Sequence, residues 1–225
     1  MRLGCIGIGS NAIRLLVASW KDGRLCDVRR ERRGTRLFAG LIGGRLTEES
    51  IQSSVNAVDE LAQCARGDGA QEIFVFATSA VRMNAQRPVL RLDDYAATVE
   101  QCRRLIQRDA QGLLTLGMKP DWVGVGGTMT TLGAMQCAVP LFVAERCEGM
   151  RMDFETVAGW GRRLARMSMA ERRQVPGLMA HRADIIPSGV AILEAAMREF
   201  GIDSIRLSAH GNMDGYLKKK FQKKD

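Results

Sequence analysis

Aromatic residues are scarce, at 5% of 225 residues, and histidine occurs only twice, at His181 and His210. The first shortage leaves little flat surface on which nucleobases could stack, and no nucleic-acid motif makes up for it. The second, with six cysteines that nowhere form a C-x-x-C pair, leaves no clustered zinc ligands, and no metal-ligating residue is assigned. No uninterrupted run of about 18 apolar residues exists, so no transmembrane helix is expected. The opening MRLGCIGIGSNAIRLLVASW is apolar but broken by Gly, Ser, Asn and Arg14. It lacks a basic stretch ahead of a clean apolar core and makes a poor signal peptide. The expectation is a cytoplasmic protein whose cysteines are reduced and buried.

What is present is ordinary globular material, 46% hydrophobic and 26% charged, with a length that suits one large domain or two small ones. Lys and Arg outnumber Asp and Glu by 33 to 25, a net charge of +8. Five lysines at Lys218, Lys219, Lys220, Lys223 and Lys224 read as a solvated tail. Arg29, Arg30, Arg32, Arg33 and Arg36 are clustered, and the planar fork of arginine suits phosphate. On charge alone, polyanionic substrates and nucleic acid both fit.

Residues 3–8 read as a short buried strand turning at Gly9-Ser10-Asn11. Residues 12–20 fit strand or helix. Asp22-Gly23, a strong hairpin signal, decides for strand, with Arg24–Arg30 returning. Thr47 starts a helix with Ile51, Val55, Val58 and Ala62 as its apolar stripe and Gly67 as its stop. Ile73–Ala77 reads as a buried strand and 93–112 as a helix. Asp121–Val125 reads as a strand that runs through Gly126-Gly127-Thr128 into another helix. Apolar stripes over 153–167, 168–174 and 184–200, a strand at Ile205–Ser208 and a closing turn or helix over Gly211–Phe221 complete an α/β pattern. The opening hairpins argue against a purely parallel sheet.

Three strand ends carry small or hydroxyl residues: Gly9-Ser10-Asn11, Ala77-Thr78-Ser79-Ala80-Val81-Arg82 and Gly124-Val125-Gly126-Gly127-Thr128. Glycine lets backbone approach an anion, N–H groups donate to its oxygens, and Ser or Thr hydroxyls add short donors. Arg14 and Arg82 can add charge-assisted forks. One such loop is an ordinary turn signal, but three in a small chain point to a phosphate-binding cleft. A rival pattern, Gly7-x-Gly9-x-x-Ala12 with Asp27 downstream, matches the dinucleotide fingerprint. That motif requires a helix directly after the glycines and then a parallel strand, and the Asp22-Gly23 hairpin leaves room for neither.

The stretch Ile6-Gly7-Ile8-Gly9-Ser10-Asn11-Ala12-Ile13-Arg14-Leu15-Leu16-Val17 resembles the I-D-I-G-S-N-[ST]-I-R-L-L-V opening of the exopolyphosphatase / guanosine pentaphosphate phosphatase family. Thr35-Arg36-Leu37 with Gly40-Leu41 is similar to its T-R-L-x-x-G-L segment, and Ala77–Arg82 with Asn84 and Arg87 to its A-T-S-A-x-R-x-A-x-N-R stretch. Val123–Thr128 with Thr131-Leu132 resembles its V-G-x-G-G-T-x-x-x-L motif. Glu171-Arg172-Arg173, Pro176-Gly177-Leu178 and Arg182-Ala183-Asp184-Ile185-Ile186 resemble its e-e-R…G-L…R-A-D-I-I signature. Gly189 and Ser208 to Leu217 match its close loosely, and the order is the family's from end to end.

The resemblance implies an actin-like two-domain α/β fold with ribonuclease-H-like cores and an active site in the interdomain cleft. Residues 1–90 would form an N-terminal phosphate-binding domain and 91–225 a second domain, with a C-terminal helix able to pack back on the first. The implied chemistry is Mg²⁺-assisted hydrolysis of a terminal phosphoanhydride in inorganic polyphosphate or guanosine pentaphosphate. The expected partners are therefore polyphosphate or guanosine polyphosphates, with neither membrane nor nucleic acid expected and a homodimer left open. Gly9, Ser10, Asn11 and Arg14 would form a first phosphate clamp, Thr78, Ser79 and Arg82 would lie beside it, and Gly126, Gly127 and Thr128 would come from the second domain. The plainer alternatives are an outward strand arginine for Arg14 and a helix N-cap for Thr128.

Two departures matter. The family carries Asp, expected to help hold the metal, where this chain has Gly7, and glycine offers no carboxylate. The family's E-E-A segment with its catalytic glutamate and its D-I-G-G-G-S-[ST]-E loop have no counterpart between Arg87-Pro88 and Leu92-Asp93-Asp94-Tyr95. No catalytic base can therefore be named. Glu100 and Glu145 lie nearby without a motif. A stretch excised near residues 88–92 would show as a Cα–Cα step well above ~3.8 Å. A chain truly lacking it should struggle to bury Trp122, Val123, Val125, Leu132, Ile185, Val190 and Leu193. Those losses favour a non-catalytic binder of the same ligands as the alternative.

Overall fold

Leu3 and Cys5 on one side and Ile6 and Ile8 on the other give the first strand two apolar faces, and such a strand must be covered on both. The computed structural model describes residues 1–42, 45–77, 95–109, 121–139 and 144–223. Its strands are β1 (Arg2–Ile8), β2 (Ile13–Lys21), β3 (Arg24–Arg33), β4 (Leu41–Ile42), β5 (Arg45–Leu46), β6 (Glu72–Ala77), β7 (Val123–Val125), β8 (Arg151–Asp153) and β9 (Ser204–Ser208). Its helices are α1 (Glu48–Gly67), α2 (Tyr95–Asp109), α3 (Gly127–Gln136), α4 (Ala144–Cys147), α5 (Phe154–Arg166), α6 (Met169–Arg173), α7 (Ile186–Glu199) and α8 (Asn212–Phe221). The chain divides into two compact units, Met1–Pro88 with Asn212–Asp225, and Val89–Gly211.

In the first unit the strand order is β3-β2-β1-β6, with β1 antiparallel to β2 and parallel to β6. The Asp22-Gly23 turn has both φ angles positive, 51° and 75°, the geometry that matches the twist of a two-residue hairpin. Thr47 caps α1 by accepting from Ser50 N. Ala57, Leu61 and Ala65 of α1 cover Ile6, Ile13, Leu15 and Val17. Small Ala57 and Ala65 bring that face of the helix onto the sheet. Ile51 and Val55, expected in the stripe, lie further round the helix and are exposed. On the other face Leu217 and Phe221 of α8 cover Leu3, Cys5, Leu16 and Ala18. Strand β6, expected to be buried, is the sheet's edge, and Val75 is 54% exposed.

In the second unit β9 pairs with β7 in parallel and with β8 antiparallel, in the order β7-β9-β8. Three-residue β8 is too short to show a periodicity in the sequence. Leu132 of α3, Val157 and Leu164 of α5, Ile186, Val190 and Met197 of α7, and Leu207 of β9 share one core. Leu132 and Val190 are thus fully buried despite the expected difficulty. Val123 and Val125 are not, at 41% and 44% exposed, and β9 is their strand's one neighbour among the described residues. Val99 and Cys102 of α2 pack on Ala191 and Ala195 of α7. Glu194, buried between them, accepts from Tyr95 Oη at 2.8 Å and from Arg198 at 2.9 Å. The junction near Pro88 lies outside the described residues.

Candidate functional site

In the first unit the β1–β2 pairing ends at Ile8 opposite Ile13, and Gly9 N donates to Ala12 O at 3.1 Å to close the turn. Arg36 N donates to Asn11 O at 3.1 Å, tying the chain after β3 to that turn. Gly9 and Ser10 are half-buried and Asn11 is exposed. A strand, not a helix, follows the glycines, which removes the dinucleotide reading.

Across the sheet Arg14 registers with Gly7 on one side and Arg32 on the other. Arg14 reaches solvent, yet it is crowded enough that burial, and then the charge of Arg32, hold its pKa below the usual guanidinium value. Burial does the same to Arg32, whose Nε is enclosed without a hydrogen-bond partner. The rest of the arginine cluster is less available than the sequence suggests. Arg29 pairs with Asp68, Arg30 with Asp214, and Arg33 with Glu60 at 3.0 Å.

Gly7 is buried. A side chain there would meet the Phe76 ring at 3.2 Å and the Met213 sulfur at 3.4 Å. An aromatic edge, a thioether and a guanidinium are not the oxygen donors that Mg²⁺ requires, so the described residues around Gly7 do not fit the metal. Among the described residues no three His, Cys, Asp or Glu side chains gather into a metal site. Glu100 is spent on Arg103 at 2.9 Å and Arg104 at 3.3 Å, a surface arrangement rather than a base. The Glu145 side chain, and Thr78, Ser79 and Arg82, lie outside the described residues.

In the second unit β7 ends in Gly126, whose φ of +89° suits glycine, and α3 begins at Gly127 with no side-chain cap. The first N–H groups of a helix have no partner within it and carry its positive dipole end. The Arg182 guanidinium lies against Gly127, where a Cβ would push its end aside, and Arg182 is only 9% exposed. Thr128 is no N-cap. Its hydroxyl sits over Gly189 of α7, where any side chain would strike it. Thr131 Oγ1 donates to Gly127 O at 2.7 Å and braces the turn. Gly126, Gly127 and Thr128 thus share one helix start. Arg182, from the R-A-D-I-I stretch and not among the expected site residues, is brought there by the fold. Its signal in the sequence is an arginine in that family-like stretch, within the mostly apolar run Val175–Ile186.

The Ppx/GppA phosphatase family model matches residues 92–224. Exopolyphosphatase 2 of Mycobacterium tuberculosis is 24% identical over 308 residues, spanning 95% of this chain and 97% of that protein. Since 308 exceeds the chain's own 225 residues, that relative carries residues without a counterpart here. Exopolyphosphatase 1 of Mycobacterium bovis is 33% identical over 84 residues, 36% of this chain and 24% of the relative. The crystal structure of the Aquifex aeolicus Ppx/GppA family member superposes with a TM-score of 0.73 at 20% identity, over 100% of this chain and 99% of that one. An exopolyphosphatase from Cytophaga hutchinsonii gives 0.81 at 14%, over 99% and 98%. These likenesses show the fold, mixed α/β and actin-like, with one larger sheet in each unit beside the short β4–β5 pair.

Proposed function

The chain belongs to the Ppx/GppA phosphatase family, and on that premise we propose that it binds the phosphate chain of inorganic polyphosphate or guanosine pentaphosphate and hydrolyses the terminal phosphoanhydride. The observation that carries the reading is Arg182 against the Gly126-Gly127 start of α3. A guanidinium beside a helix start sets charged N–H donors next to the helix's own first N–H groups and positive dipole end, a combination suited to phosphate oxygens. Because the surroundings of Gly7 do not fit Mg²⁺, phosphate binding falls to the chain's own cations and N–H groups. In the transition state, charge grows on the transferred phosphoryl oxygens. Fixed donors aimed at them stabilise it by about 3–4 kcal/mol each, or 10²–10³ in rate. The thiols are free in the structure, and we place the protein in a reducing cytoplasm.

The test is phosphate release from tripolyphosphate and guanosine pentaphosphate with Mg²⁺. Release that Arg182→Gln lowers by about 10²-fold or more is the expected result. Gly7, with the lack of a gathered acid cluster among the described residues, favours a second reading, binding without hydrolysis. Saturable binding of either ligand with no phosphate released at any Mg²⁺ concentration would select it.

A further inference from the structure

On the face of the first sheet covered by α8, one row of registered residues crosses four strands: Phe76, Gly7, Arg14, Arg32. Like charges directly opposite on one face destabilise a sheet. Arg29, Arg30 and Arg33 on β3 each have a carboxylate. Arg14 and Arg32 are given none among the described residues, and Arg32 Nε is enclosed without an acceptor. The rest of the row supplies no acceptor either, since Gly7 has no side chain and its other neighbours are an aromatic ring and a thioether. Two arginines in register on neighbouring strands, with no carboxylate between them among the described residues, match the oxygens of one tetrahedral dianion.

We propose that this row is an oxyanion seat in which Arg14 and Arg32 together clasp one phosphate group directly, without a bridging metal ion. The proposal rests on the polyphosphate reading above. It adds Arg32 as a binding residue and makes this contact independent of Mg²⁺. The phosphate can come from the chain's end or from released orthophosphate, and both are used as probes.

The experiment is calorimetric titration of the full chain with tripolyphosphate, and separately with orthophosphate, in EDTA and then in excess Mg²⁺. Tripolyphosphate is expected to bind in EDTA, Arg32→Gln to weaken it about 10- to 100-fold, and Mg²⁺ not to tighten it. Removing one of two repelling charges should leave the ligand-free melting temperature of Arg32→Gln at or above that of the parent. Arg14→Gln, at an exposed position, gives the same binding readout should Arg32→Gln fold poorly. Orthophosphate binding that Arg32→Gln also weakens assigns the seat to product as well as substrate. Orthophosphate that does not bind assigns it to the chain alone. Tripolyphosphate binding only with Mg²⁺, or unchanged in both variants, overturns the seat while the functional reading stands. If neither tripolyphosphate nor guanosine pentaphosphate binds under any condition, both fall.

Discussion

Two glycine-rich turns, one in each unit, look alike as residues and differ as physics. Gly9-Ser10-Asn11 joins antiparallel strands, and a hairpin turn has no macrodipole, so attraction for an anion must come from side chains, here Arg14 and Arg32. Gly126-Gly127 opens a helix, whose free N–H groups and dipole supply attraction from the backbone, and a single arginine, Arg182, adds to it. The lesson is that a small-residue loop marks where backbone can approach an anion. What lies beyond the loop decides which donors do the binding.

The largest test of the comparison asks whether the units are separate bodies energetically. Leu61→Ala empties the α1 side of the first core and Leu132→Ala the second core, each at a cost of about 2–5 kcal/mol. Scanning calorimetry should show two transitions, each substitution lowering one. A single transition lowered by both breaks the comparison.

Next in size is the contrast between the turns themselves. Gly127→Ala drives a methyl into the Arg182 guanidinium and is expected to cost about 1–3 kcal/mol by denaturant unfolding. Gly9→Ala meets only Ala12 O at 3.1 Å and should cost less. Equal losses would mean that the two turns are equally crowded.

A smaller effect separates the units in alkali. Burial, then the Asp214 charge, pushes the Cys5 thiol up to about 12. The fold therefore favours the protonated thiol. That stabilisation is complete below the free-thiol value near 9 and is lost as pH rises towards 12. Cys5 should stay unmodified by a thiol reagent at pH 8 in the native protein, and peptide mapping checks this. The smallest effect lies in acid. Arg206 and Arg151 hold the Asp121 carboxyl below its usual range, and Arg103 does so for Glu199. Their contribution is present above the ordinary carboxylate values and fades as pH falls through the lowered ones. The second unit's transition should drop slightly below pH 4, and an unchanged transition would show these pairs to be idle.

Features set by neighbours in sequence were legible before the fold. Asp22-Gly23 specifies its hairpin, and Thr47 and Gly67 bound α1, because those geometries are local. The stripe on α1 was misphased at Ile51 and Val55 because alanines can face a sheet as well as larger residues do. The arginine cluster was legible as charge. That Arg29, Arg30 and Arg33 are each paired, while Arg32 meets no carboxylate among the described residues, depends on strand register and on the position of Asp214 far along the chain. Arg182 was hidden for the same reason, since only the tertiary fold carries it to Gly127.

Strand β7 has a consequence for anyone handling the protein. Among the described residues it is bonded along one side only, and Val123 and Val125 stand open on it. A bare, β-branched strand margin is a template for further strands, without regard to what they belong to. Concentrated stocks should therefore deposit material of rising β content, and a lysine placed at Val123 should lengthen their shelf life without touching either turn.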